Sequence, residues 1–175
     1  IIQLPCNTNK GDIMKIGVLA DTHDNLMKLR PTLDRFREAG VEQILHAGDI
    51  CSPFVFLDFK KYKIPFSAVF GNNDGEWLFL VKLAEGLGRM VKGPIELELG
   101  GRKIALMHEP VFLDALADSG HFDLIVYGHT HEPEQRRRGK ALIINPGENC
   151  GYLKNRATAM IVDLDDLATD TLVLE

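Results

Sequence analysis

The sequence predicts an α/β fold built on two β-sheets, and three observations carry that reading. From Lys15 onward, short apolar runs alternate with amphipathic stretches and polar or glycine-marked breaks, the rhythm of strands followed by covering helices. After Gly86 the texture changes to short runs divided by Lys92-Gly93-Pro94 and Gly100-Gly101, which predicts an antiparallel meander. The number of strands so counted is then large enough to call for a second sheet.

The elements follow in order. Residues 1–13 are a poorly patterned lead-in to a single domain spanning 14–175, and Met14, directly before the first strong apolar run, is a candidate natural start. Residues 16–20 read as a strand. Residues 25–39 read as a helix with Asn25 as its cap, Leu26, Leu29, Leu33 and Phe36 on one face, and Gly40 ending it. A strand at 43–47, a helix at 53–60, a strand at 66–70 and a helix at 76–85 complete the wound half. The meander takes 89–92, 95–99 and 103–107. A helix at 111–118, a strand at 124–127, and strands at 135–137, 141–144, 157–162 and 169–173 finish the chain. The run Arg136-Arg137-Arg138 reads as a solvated strand edge.

Composition narrows the function. Its 175 residues, 45% hydrophobic and 26% charged, can bury a core without disulfides or a structural metal. A formal net charge of -5 argues against an extended nucleic-acid surface, which needs clustered excess Lys and Arg. Cys6, Cys51 and Cys150 are odd in number and widely spaced, so neither a disulfide framework nor a Cys-rich zinc site is expected. That pattern favours a reducing compartment, the cytoplasm. No apolar run approaches the roughly 20 residues of a membrane span.

Five separate apolar runs each end in residues able to bind a metal. IGVLA leads into Asp21-Thr22-His23, QILHA into Gly48-Asp49, SAVF into Gly71-Asn72-Asn73-Asp74, IALM into His108, and LIVY into Gly128-His129-Thr130-His131. In an open sheet built on parallel strands the carboxyl ends converge on the ligand crevice, so these distant groups are expected to meet. Glycine before Asp49, Asn72 and His129 lets the chain turn sharply there. The set Asp21, His23, Asp49, Asn72, His108, His129 and His131 mixes oxygen and nitrogen donors, which suits Mn, Fe, Zn or Ni better than Ca or Mg. It is too large for one ion that must also leave room for substrate. Two divalent ions, manganese first among the candidates, with a bridging carboxylate match the clamp used for in-line displacement at phosphorus. His46 and His121 lie apart from this pattern and read as structural.

These residues resemble the calcineurin-like metallophosphoesterase superfamily, and within it the small single-domain phosphodiesterases of bacteria and archaea. The resemblance covers nearly all of the chain after Met14. It implies a four-layer α-β-β-α sandwich with two mixed sheets. It also implies a division of ligands: Asp21, His23 and His131 on one ion, Asn72, His108 and His129 on the other, and Asp49 bridging. Attack by a metal-bridging hydroxide on a small phosphodiester is the implied reaction, with Asp49, Asn72 and His108 having catalytic as well as ligand roles. Asp74 is expected to orient a ligand rather than bind metal. A homo-oligomer is implied by the resemblance alone.

Three departures from the family pattern stand out. Asn73 replaces a histidine proposed to protonate the leaving oxygen, and a neutral amide cannot act as a general acid. Glu109 follows His108 where glycine is common. Glu148 replaces a small hydroxyl residue after Asn145-Pro146-Gly147, a segment that reads as a tight turn. The competing readings are a phosphomonoesterase, and a non-catalytic scaffold like the retromer subunit of the same family. The filled ligand positions favour an enzyme over the scaffold.

Overall fold

The computed structural model describes residues 14–175, so the expectations for the lead-in and for Cys6 lie outside the described residues. Along the chain the elements are β1 (Lys15–Leu19), α1 (Leu26–Glu38), β2 (Gln43–His46), α2 (Val55–Tyr62), β3 (Phe66–Val69), α3 (Trp77–Ala84), β4 (Gly88–Val91), β5 (Ile95–Leu99), β6 (Arg102–Leu106), α4 (Leu113–Asp118), β7 (Leu124–Val126), β8 (Glu134–Arg138), β9 (Ala141–Asn145), β10 (Ala157–Asp163) and β11 (Thr169–Leu174).

They form two mixed sheets, one ordered β11-β10-β1-β2-β3-β4 and the other β5-β6-β7-β9-β8. In the first, β1 to β4 run parallel, while β10 lies antiparallel to β1 and β11 antiparallel to β10. In the second, β6, β7 and β9 run parallel between the antiparallel edge strands β5 and β8. Three apolar layers hold the sheets and helices together. Val18, Leu45, Val69, Leu106, Val126 and Ile144 fill the space between the sheets. Leu29, Leu33 and Phe36 of α1 join Phe56 and Phe59 of α2 and Leu80 of α3 over the outer face of the first sheet. Ala117 of α4 covers Ile125 and Ile143 of the second. This is the expected α-β-β-α sandwich.

Residues Leu29, Leu33 and Phe36 are spaced to share one helix face, and all three are fully buried. Gly17 sets how closely that face approaches the sheet, because a Cβ there would lie 2.4 Å from the Phe36 ring. Asn25 does not cap α1 through its side chain. Its amide instead donates to the Cys150 carbonyl at 2.6 Å, tying the start of the helix to the loop before β10.

The meander is the reading that fails. β4 pairs parallel with β3 in the first sheet, because α3 carries the chain back as a strand-helix-strand crossover. The chain crosses to the second sheet at Gly93-Pro94, after β4, and β5 with β6 is the one antiparallel pair of that stretch. Its turn is Gly100-Gly101, both at positive φ. The arginine run lies on edge strand β8 as expected. Arg136 and Arg138 pair there with Asp114 at 2.8 Å, which moors α4.

Candidate metal centre

All seven predicted ligands come together at the carboxyl ends of β1, β2, β3, β6 and β7. Asp21 and Asp49 are fully buried, and His108 nearly so. Three of their donor atoms lie within 4.8 Å of one another. Asp21 Oδ1 lies 3.5 Å from His131 Nε2 and 3.9 Å from His23 Nε2. Asn72 Oδ1 lies 2.9 Å from both His108 Nε2 and His129 Nδ1. Between these two groups sits Asp49 Oδ2, 3.6 Å from His23 Nε2 and 3.5 Å from His108 Nε2.

The loops that present these groups are strained. Seven of the twelve described non-glycine residues at positive φ are Asp21, His23, Asp24, Asp49, Cys51, His129 and His131, so left-handed backbone concentrates at the centre. Such conformations cost free energy and persist where surrounding structure enforces them. The glycines act differently from one another. Gly48 does adopt positive φ, at 92°. Gly71 is needed for close approach instead, since a Cβ there would fall 2.1 Å from Asp49 Oδ1.

Outer partners aim the imidazoles. His108 Nδ1 donates to the Ala47 carbonyl at 2.7 Å, and His131 Nδ1 to Glu148 Oε2 at 2.7 Å. A carbonyl and a carboxylate only accept, so each Nδ1 is a donor in these contacts, and Nε2 is the ring nitrogen turned toward the centre. Cys51 Sγ lies 3.2 Å from His23 Nδ1 and occupies the same place for that ring. Asp49 is held by the Asn73 amide, through backbone N–H to Oδ1 at 2.8 Å and Nδ2 to Oδ2 at 2.7 Å. Asp74 contributes no atom to the interior. Its carboxylate accepts from the backbone N–H groups of Asp49, Cys51 and Gly71, which locks two of the loops together.

Glu148 is the residue that sequence reasoning missed. It is no simple turn residue: its buried carboxylate accepts from Leu153 N at 2.8 Å and Lys154 N at 2.7 Å besides His131. Burial alone would raise its pKa, but the Lys154 N–H, His131 and the Leu153 N–H together hold it below the usual carboxylate value. The only signal in the sequence was an acid in place of a small hydroxyl residue after Asn145-Pro146-Gly147, which does not name its partner. His46, read as structural, is fully buried and joins Thr22 Oγ1 at 2.6 Å and the Gly48 N–H at 3.2 Å. Burial pushes its pKa down to about 3, so it is neutral. His121, also read as structural, pairs with Glu96 on the surface, away from the centre.

The donor set fits divalent ions. Asp21 Oδ1 and His23 Nε2 are buried with no hydrogen-bond partner, a costly state for polar atoms unless something else satisfies them. Burial, opposed by His131 and reinforced by Asp49, raises the Asp21 pKa to about 7. Imidazole nitrogens, the bare Asp21 oxygen, the Asp49 carboxylate and an amide oxygen converging on one space form a site that attracts a cation.

A two-sheet sandwich with such a centre at its strand ends defines a metallophosphoesterase-type hydrolase. Residues 14–167 match the family model of the calcineurin-like phosphoesterase superfamily domain, and the chain belongs to that superfamily. It is 35% identical over 166 residues to a phosphodiesterase of Methanocaldococcus jannaschii, covering 93% of this chain and all of that protein. It is also similar to the solved structure of an archaeal phosphodiesterase, with a TM-score of 0.87 and 34% identity over 92% of this chain and all of that one. Vps29 from Entamoeba histolytica shares the fold at a TM-score of 0.69 and 18% identity, over 93% of this chain and all of that chain.

Proposed function

We propose that residues 14–175 form one phosphodiesterase domain holding two divalent ions and hydrolysing a small phosphodiester. Asp21, His23 and His131 hold one ion, Asn72, His108 and His129 the other, and Asp49 bridges. The observation that carries this reading is the position of Asp49 Oδ2, nearly equidistant from His23 Nε2 and His108 Nε2 at 3.6 and 3.5 Å. A carboxylate between two half-sites is what a bridging ligand requires. The similarity to the Methanocaldococcus jannaschii phosphodiesterase supports the substrate class. Manganese is the first candidate, with Ni, Fe and Zn close behind on the same donor chemistry.

When bound, the ions supply an activated water and neutralise charge on the phosphoryl oxygens. The chain does the rest. Asn73 fixes the Asp49 carboxylate, Ala47 O fixes the His108 ring, and Glu148 fixes His131, so the inward atoms pay little reorganisation cost during reaction. Asn73 donates to Asp49 from its backbone N–H and from Nδ2, and a neutral amide cannot protonate a leaving group. Esters of acidic alcohols are therefore the better substrates. A monoester adds a negative charge near Glu109, and nothing in the geometry favours it over a diester. No described helix is long and apolar enough to cross a membrane, and the free thiols Cys51 and Cys150 support a cytoplasmic setting. A homo-oligomer is retained from the family resemblance.

The test is hydrolysis of a chromogenic diester and its monoester by chelator-stripped protein with Mn, Ni, Zn, Mg or no metal restored. Metal-dependent cleavage that favours the diester supports the reading. Full metal uptake without turnover of either ester would sink it. An Asp49→Asn variant that kept both activity and metal would remove the bridging assignment.

A further inference from the structure

A cavity of about 280 Å³ opens beside the centre on the side of Asn72 and His108, which line it together with Phe70, Trp77, Lys92 and Glu109. One wall is an aromatic pair: Phe70 and Trp77 stack with centroids 4.3 Å apart and planes within 9°. The indole is fixed, because its Nε1–H donates to the Asp74 carbonyl at 2.8 Å. Trp77 is nevertheless 44% exposed. A large aromatic surface held rigid and left open beside a reactive centre is costly to leave wet, and it is suited to stacking against another flat ring.

We propose that this cavity receives one ester arm of the substrate, and that the arm carries a heteroaromatic ring of the nucleobase class. The proposal rests on the phosphodiesterase reading above for the word substrate, and on the cavity for everything else. Asn72 and His108 belong to both the cavity and the centre, so a phosphoryl group held at the centre places one of its ester arms in the cavity. Its volume lies at the small end of small-molecule sites, roughly 300 Å³ upward, and suits a single ring system rather than a polymer. A net charge of -5 separately disfavours a long nucleic acid, whose phosphates need an excess of Lys and Arg. Lys92 supplies donors only and Glu109 acceptors only, which together match the mixed edge of a nucleobase.

Trp77 is the chain's one tryptophan, so its emission reports on this cavity alone. The experiment titrates metal-loaded protein with adenosine 5′-monophosphate and, separately, with ribose 5-phosphate, which keeps the phosphate and sugar but lacks the base. Saturable quenching is expected from the nucleotide, with calorimetry giving affinity about tenfold tighter than for ribose 5-phosphate. In Trp77→Leu and in Phe70→Leu, which keeps the indole and its hydrogen bond, calorimetry should show that ratio falling toward one. Equal binding of the two probes by the wild-type protein, or a base preference that survives in both variants, would overturn the proposal. Neither readout needs turnover. Quenching without hydrolysis of any ester would leave the cavity assigned and the enzyme reading lost, and hydrolysis without base preference would do the reverse.

Discussion

Burial of Asp21 with one carboxylate oxygen bonded to the His129 N–H and the other bare raises its pKa from 3.8 to about 7. The folded protein without metal therefore holds a proton that the unfolded chain releases. The stability this contributes is complete below about pH 4 and is lost as pH rises toward 7. Asp21→Asn removes the titration, and an Asn tolerates the left-handed backbone of this position. The metal-stripped variant should be more stable than stripped wild type at pH 8 by about 2 kcal/mol, with the gap closing toward pH 4. Urea denaturation at both pH values measures this, and divalent metal should rescue only the wild type. Glu148→Gln addresses the other carboxylate. It keeps an acceptor for His131 but removes the charge that makes the imidazole a stronger donor, so metal affinity should weaken about tenfold. Competition against a chelating dye measures that loss, and an unchanged affinity would reduce Glu148 to a loop brace.

At the scale of elements, the packing of α1 on the outer face of the first sheet is separate from the strand ends that carry the site. Gly17→Ala would drive a methyl into the Phe36 ring and force α1 away from β1. A loss of about 1–3 kcal/mol in unfolding free energy is expected, with metal stoichiometry unchanged, because Phe36 packs on the outer face of the first sheet while the candidate ligands lie past the ends of its strands. Denaturant melts and metal analysis of the same sample check both halves. This scale also shows what could be read in the sequence. Every candidate ligand lies within a few residues of the end of one of five apolar runs, so local pattern was enough to single out Asp21, His23, Asp49, Asn72, His108, His129 and His131. Glu148 bonds to His131 across 17 positions of chain, and no local pattern encodes such a contact. The direction of β4 was hidden for a related reason, since an apolar run bounded by turn residues looks the same whichever neighbour it pairs with. Asn25 was read as a cap on residue preference, but a long-range acceptor at Cys150 claimed its amide.

At the scale of the molecule, both sheets contribute to one centre. Asp21, His23, Asp49 and Asn72 follow strands of the first sheet, and His108, His129 and His131 follow strands of the second. Ions bound across that seam favour the folded state only. At a free concentration about a hundredfold above its dissociation constant, one ion should add about 2.7 kcal/mol. For a chain of this size that raises the melting temperature by roughly 5–10 °C. A thermal scan of stripped protein with and without Mn measures it. No shift, with binding shown independently, would mean that the unfolded chain holds the metal equally well.

The pairing of β1 with β10 joins residues 15–18 to residues 160–163. During synthesis, β1 therefore waits with one edge bare until the chain as far as β10 has followed. His131 emerges well before β10, so all the donors are outside before the first sheet can close. A free ion met in that interval finds the groups but no frame to hold them. Secure metal capture is thus a late event in the life of a newly made molecule, and a truncated product that lacks β10 should carry every ligand yet keep no metal.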